Sequence, residues 1–218
     1  LIVFEDAECI EDIYELIVET VTEIRKKDKD TPIVIGWDTV AATPTRSELD
    51  NKRGLEASDM GKMAIQMSKL FRRLVKFLFQ NKVCLLCLNQ TRTNLGQQYG
   101  DKETTYGGKA LRFYSWIRLR IKTIKHIKDS TDEEVGILSM ILCRKNKVAP
   151  PFRSCLVPLY WKRGIDPIKS IWEHCTDHGI FEKTGTRYFI EGEQVTRKSF
   201  PRFYLQNRKQ VDTLLKNY

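Results

Sequence analysis

Residues 31–38 read "TPIVIGWD", a short apolar run that ends on an acid. Such a run marks a strand buried within a parallel sheet, where the usual alternation of polar and apolar positions is lost. The same form recurs at residues 83–90, "VCLLCLNQ". Between them, "SDMGKMAIQMSKLFRRLVKFLFQNK" (58–82) sets Met60, Met63, Met67, Leu70, Leu74 and Leu78 on one helical face. Upstream, "ECIEDIYELIVETVTEIRKKDKD" (8–30) does the same with Ile10, Ile13, Leu16, Ile17, Val21 and Ile24, and residues 1–4 read as a further strand. Strand, helix, strand, helix, strand predicts an α/β sheet with helical crossovers.

Beyond Gly108 the pattern changes. "SWIRLRIKTIKHIK" alternates, turn residues "DSTD" follow, and "EEVGILSMILCRKNK" returns, which predicts an antiparallel hairpin. "SCLVPLYW" adds a strand. From about Gly164 a smaller unit is expected: a helix over "DPIKSIWEHCTDHG" with Pro167 in its first turn and Gly179 at its end, a hairpin over "TRYFIEGEQV", and one closing helix.

The chain has 218 residues, 41% hydrophobic and 30% charged, enough for a core and unlike a disordered tail. Lys and Arg number 37 against 28 Asp and Glu, so a polyanionic partner is favoured without being named. No run approaches the roughly 18 apolar residues of a membrane span. Six cysteines in mostly apolar runs favour reduced, cytosolic thiols over a disulfide framework. The first residue is Leu rather than Met, so the chain reads as a piece of something longer.

Several residues could carry chemistry. Asp38 ends a strand at the edge where α/β sheets bind ligands, so it either orients a metal at a nucleotide or makes an Asx turn or helix cap. Asn89 and Gln90 end the next strand at the same edge, where an amide can bond a phosphate oxygen or simply terminate the strand. Residues 91–105 form a long polar connection with Arg92, Gly96, Tyr99, Gly100 and Lys102. Cations beside an aromatic suit single-stranded nucleic acid, and an idle surface loop is the plainer reading. Arg118, Arg120 and Lys122 alternate with Ile117, Leu119 and Ile121, giving one cationic and one apolar face. Arg144, Lys145 and Lys147 precede a rigid "APP" turn, either as a solvated strand end or as cations reaching a phosphate across a subunit boundary. Cys84-x-x-Cys87 lacks a second pair, and His174 with His178 lacks a third ligand, so neither reads as a metal site.

The succession "PIVIGWDTVAATPTRSELD", "MGKMAIQMSKLFRRL", "LLCLNQTRTNLGQQYGDKETTYGGKALRFYSWIRLRI", "CRKNKVAPPF" and "LYWKRGID" resembles the bacterial RecA recombinases in order and over almost the whole chain. The resemblance implies an α/β RecA-like ATPase core over residues 1–163. That core is a mostly parallel sheet with helices on both faces and an antiparallel extension. A small α+β carboxyl-terminal domain over residues 164–218, thought to gather duplex DNA, would follow. The implied activity is an ATP- and Mg2+-dependent helical filament on single-stranded DNA that pairs it with a homologous duplex, in the cytoplasm. Asp38 matches the family's Walker B acid, with Thr39 where a Ser is usual, and Gln90 matches the amide that couples the γ-phosphate to DNA. Residues 91–105 match the second DNA-binding loop, so Arg92, Asn94, Gln97, Tyr99, Lys102, Thr104 and Thr105, with Gly107, Gly108 and Lys109, are implied DNA contacts. Glu48 to about Met60 matches the first loop, which adds Lys52 and Arg53. Lys145 and Lys147 match lysines that reach ATP on the adjacent subunit, and Phe113 matches an aromatic that relays between subunits.

The chain departs from the pattern in places. No G-x-x-x-x-G-K-[ST] phosphate loop occurs in it, nor the upstream catalytic Glu, and in the family both lie before the strand at which this chain begins. Lys109 replaces the usual Asn. The expectation is therefore a fragment inactive as an ATPase alone; the alternative is a non-hydrolysing paralogue that binds DNA or a recombinase filament.

Overall fold

The computed structural model describes residues 2–50, 61–93 and 103–217. They fall into two compact units, Leu1–Ser115 and Trp116–Tyr218.

In the first unit, helix α1 (Ile10–Lys27) precedes strand β1 (Ile33–Trp37). A single 3-10 turn (Val40–Ala42) and the short helix α2 (Arg46–Leu49) follow. Helix α3 (Lys62–Gln80) then leads into strand β2 (Val83–Cys87). β1 and β2 pair in parallel with Trp37 opposite Cys87, as the strand–helix–strand pattern predicts. Ile17 and Val21 of α1, Met67, Leu70, Phe71 and Leu74 of α3, and Trp37 make one core with the inward residues Ile33, Ile35, Val83, Leu85 and Cys87.

Two expectations change here. Both strands are buried on one face only: Val34 is 66% exposed and Leu86 52%, and Leu88, just past β2, is 50% exposed. The described helices of the core pack against the opposite face, and a uniformly apolar run has no period from which that could be read. Residues 2–4 form no strand, and Ile2, Val3 and Phe4 are exposed. Apolar character without a hydrogen-bonding neighbour does not make a strand.

α1 is fixed at its start by charge. The Glu8 and Cys9 N–H groups donate to the Asp12 carboxylate at 3.2 and 3.1 Å, and the Arg46 guanidinium reaches the same group at 2.6 Å. The Arg46 bond, then that of Cys9, holds the Asp12 carboxyl down at about 2. Its folded value lies below the roughly 3.9 of an unfolded Asp, so its stabilisation is present above that pH and lost as pH falls toward 2. Asp12→Asn is accordingly expected to lower the melting temperature at pH 5, with the gap to wild type closing between about pH 4 and pH 2. A constant gap across that window would contradict this account of Asp12.

Strands β3 (Thr91–Thr93) and β4 (Glu103–Thr105) form a small antiparallel pair, and helix α4 (Ala110–Tyr114) packs on α3 and ends the first unit.

The second unit begins with the expected hairpin, β5 (Ile117–Lys128) against β6 (Glu134–Asn146), extended by β7 (Ser154–Tyr160) and β8 (Gly164–Ile165) into an antiparallel sheet. Gly136 is a close-approach residue: a Cβ there would lie 2.3 Å from the Leu159 carbonyl oxygen on the neighbouring strand. β5 alternates as predicted, yet its apolar face is the open one. Ile117, Leu119 and Ile121 are exposed while Arg118 and Arg120 are half-buried.

Helix α5 (Pro167–Asp177) starts where expected, with the Asp166 carboxylate accepting from the Lys169 N–H at 3.0 Å. The predicted hairpin, β10 (Arg187–Ile190) with β11 (Glu193–Val195), gains β9 (Glu182–Thr184) as a third strand. Instead of one closing helix there are two, α6 (Phe200–Gln206) and α7 (Arg208–Asn217). Asn207 separates them, its side-chain N–H donating to the Phe203 carbonyl. Trp172, Phe181, Ile190, Phe200 and Val211 form a core of their own. We retain the division at residues 163 and 164 as a proposal on the ground of that core.

Candidate functional site

The carboxyl ends of β1 and β2 make one edge. Because the strands run parallel in register, Asp38 follows Trp37 on the same side of the sheet as Leu88, Asn89 and Gln90 follow Cys87. Backbone bonds extend the pairing past the strands: the Leu88 N–H donates to the Trp37 carbonyl at 3.0 Å, and the Val40 N–H to the Leu88 carbonyl at 2.9 Å. Thr39 ties the edge together, its hydroxyl donating to the Leu88 carbonyl at 3.0 Å. The Asp38–Thr39 peptide is cis. Asp38 and Gln90 are both exposed, so a carboxylate and a primary amide face solvent from neighbouring strand ends.

Asn89 does what the sequence does not disclose. Its side-chain N–H donates to the Tyr106 carbonyl at 3.0 Å, joining the end of β2 to a residue 17 positions later. Tyr106 directly follows β4, whose Thr104 and Thr105 pair with Arg92 and Thr91 of β3. Gly107 and Gly108 come next with φ of +78° and +66°, values that side chains rarely adopt. They also let the chain press onto α3: a Cβ on Gly107 would meet Met67 Cγ at 3.2 Å, and one on Gly108 would meet Ala64 Cβ at 2.6 Å. Lys109 then stands exposed at the start of α4.

The edge, both legs of the 91–105 connection and the glycine turn thus form one construction on the α3 core. Arg92, Thr104, Thr105, Gly107, Gly108 and Lys109 are all in it. Asn94, Gln97, Tyr99 and Lys102, like Lys52 and Arg53, lie outside the described residues.

Lys145 and Lys147 belong to the second unit. Lys145 pairs in register with Arg118. Burial first, then the charges of Lys147 and Arg118, holds its ammonium below the usual lysine range. The Lys147 ammonium lies 6.0 Å from the Trp116 ring centroid, and the Lys147 N–H donates to the Trp116 carbonyl. Phe113 is 69% exposed on α4.

The other sequence candidates sit elsewhere. Burial pushes the Cys87 thiol up to about 12, while Cys84 is exposed. The His174 and His178 rings lie 4.3 Å apart beside a cavity of about 270 Å3, lined also by Cys155 and Asp177. Among the described residues no three His, Cys, Asp or Glu are disposed to hold a metal ion. None of their helices is long and apolar enough to cross a membrane.

Comparison with known proteins places the sequence in a family. The family model of the RecA N-terminal domain matches residues 12–166. Among curated proteins, Protein RecA of Malacoplasma penetrans is 34% identical over 179 residues, 82% of this chain and 51% of its own length. Protein RecA of Rhodococcus opacus is 36% identical over 172 residues, 78% of this chain and 49% of the relative. Protein RecA of Syntrophobacter fumaroxidans is 37% identical over 162 residues, covering 74% and 46%. The chain thus spans about half the length of the curated relatives it matches.

Proposed function

The chain belongs to the RecA family, and from that premise we propose that it is the part of a recombination and repair protein that couples a nucleotide to single-stranded DNA. In the whole protein the activity would be an ATP-dependent helical filament that pairs its strand with a homologous duplex, in the cytoplasm.

One arrangement supports this reading: an acid and an amide share a sheet edge that is hydrogen-bonded, through Asn89, to the stem of the 91–105 connection. Asp38, an exposed carboxylate with a hydroxyl neighbour in Thr39, fits a Mg2+ held through water. That ion would supply positive charge against the ATP phosphates. Gln90 would meet the last phosphate, and a change there would pass along β3 to Arg92. Lys145 and Lys147 would meet ATP bound to an adjacent copy. Arg92 and Lys109 would take DNA phosphates, with Thr104, Thr105, Gly107 and Gly108 bringing backbone close. Asn94, Gln97, Tyr99 and Lys102 would add contacts to the same strand, and Lys52 and Arg53 would do so from the first loop. Residues 164–218 would gather duplex DNA.

The 218-residue chain, having no phosphate-loop motif, is expected to bind oligothymidylate without turning over ATP. Fluorescence anisotropy across a salt series should show affinity falling as salt rises. Arg92→Ala and Lys109→Ala should each reduce the log–log slope by about 0.7, the value for one phosphate contact on a single strand. Slopes unchanged in both variants would remove these residues from the interface. DNA-stimulated ATP turnover by this chain would overturn the assignment of its ATPase incompetence.

A further inference from the structure

Arg92 and Tyr106 face each other across the stem of the 91–105 connection. Arg92 pairs with Thr104, and Tyr106, the residue just past the end of β4, stands two positions beyond that partner, a separation that long and aromatic side chains span. The Arg92 Cζ lies 3.9 Å from the Tyr106 ring centroid, the distance of a guanidinium stacked on a ring face. The backbone that carries the ring is anchored. The Tyr106 main-chain carbonyl accepts from Asn89, and the next residue, Gly107, is buried against Met67.

Stacking uses the face of a guanidinium and leaves its N–H donors, which lie in the plane, directed outward. An arginine so held has lost part of its side-chain freedom before a ligand arrives, while its phosphate-binding edge is not consumed by the ring. We infer that Tyr106 is a positioning residue: its ring holds the Arg92 guanidinium in place for a phosphate of single-stranded DNA. This rests on the reading of residues 91–105 as a DNA-binding segment. It adds that the strength of the Arg92 contact is set by a residue that does not itself touch DNA.

The test uses the 218-residue chain with Tyr106→Thr, Tyr106→Phe, Arg92→Ala and the double variant Arg92→Ala/Tyr106→Thr, and oligothymidylate as probe. Without DNA, the Arg92 Hδ resonances should be shifted upfield by the ring and return to ordinary values in Tyr106→Thr but not in Tyr106→Phe. With DNA, Tyr106→Thr should weaken binding about 2- to 5-fold, the range of an exposed cation–π contact, and flatten the salt slope. Tyr106→Phe should match wild type. In the Arg92→Ala background, Tyr106→Thr should cost nothing more.

Unshifted Arg92 resonances in the wild-type chain would overturn the stack itself. A Tyr106→Thr loss that persists without Arg92 would mean that the ring touches DNA, and the positioning role would fall while the DNA-binding reading stood. If Arg92→Ala binds as tightly as wild type, the DNA role of Arg92 fails and the inference with it.

Discussion

Met67→Ala is expected to destabilise the first unit by about 3 kcal/mol, within the range for truncating a buried methionine. Met67 is fully buried among Trp37, Leu70, Phe71 and Leu74. It also supports the glycine turn, because its Cγ and Cε form the floor beneath Gly107. The cavity would therefore open under the turn that carries Tyr106 and Lys109, and single-stranded DNA binding should weaken along with stability. Native-state hydrogen exchange resolved to α1 and α3 measures the loss. Val34→Ala, at a position 66% exposed, serves as the comparison and should change stability by no more than about 0.5 kcal/mol. Equal effects from the two would mean that α3 does not form the core of this unit.

Gly108→Ala should cost a similar amount, about 3 kcal/mol, from two sources. A φ of +66° is unfavourable for alanine by roughly 1–2 kcal/mol, and the added methyl would stand 2.6 Å from Ala64 Cβ, an overpacking worth about 1–3 kcal/mol. The second source can be isolated. Adding Ala64→Gly removes the clash at a helix cost of about 1 kcal/mol, so the double variant should be more stable than Gly108→Ala by about 1 kcal/mol. If Ala64→Gly instead deepens the loss by its full separate cost, the close approach is not what requires glycine at 108.

Much of the layout was legible in the residues, and its failures share a cause. "TPIVIGWD" and "VCLLCLNQ" read correctly as parallel strands because a long helical pattern separates them. Their half-exposure did not, since an unbroken apolar run carries no phase. Alternation in β5 disclosed two faces but not which one is covered, and the structure leaves Ile117, Leu119 and Ile121 open. That strip and the open face of β1 and β2 are each apolar areas of the kind that mark contact surfaces. The break at Asn207 did have a signal, since an asparagine side chain competes with the helix for nearby backbone groups, as it does at the Phe203 carbonyl. Asp38 and Gln90 stand out in the sequence because each follows a strand, and the register of β1 and β2 sets both at one sheet edge. The Asn89–Tyr106 bond was hidden, for it joins residues 17 positions apart across a connection whose path the sequence does not give.

The proposed DNA-binding role of residues 91–109 turns on where a strand touches this chain. Ultraviolet crosslinking of oligothymidylate to the 218-residue chain, followed by mass-spectrometric mapping of the modified peptides, reads this directly. Crosslinks concentrated between residues 91 and 109, and weakened by Arg92→Ala, are the predicted result. Crosslinks confined to residues 164–218 or to the β5–β6 hairpin, with 91–109 unmodified, would contradict it.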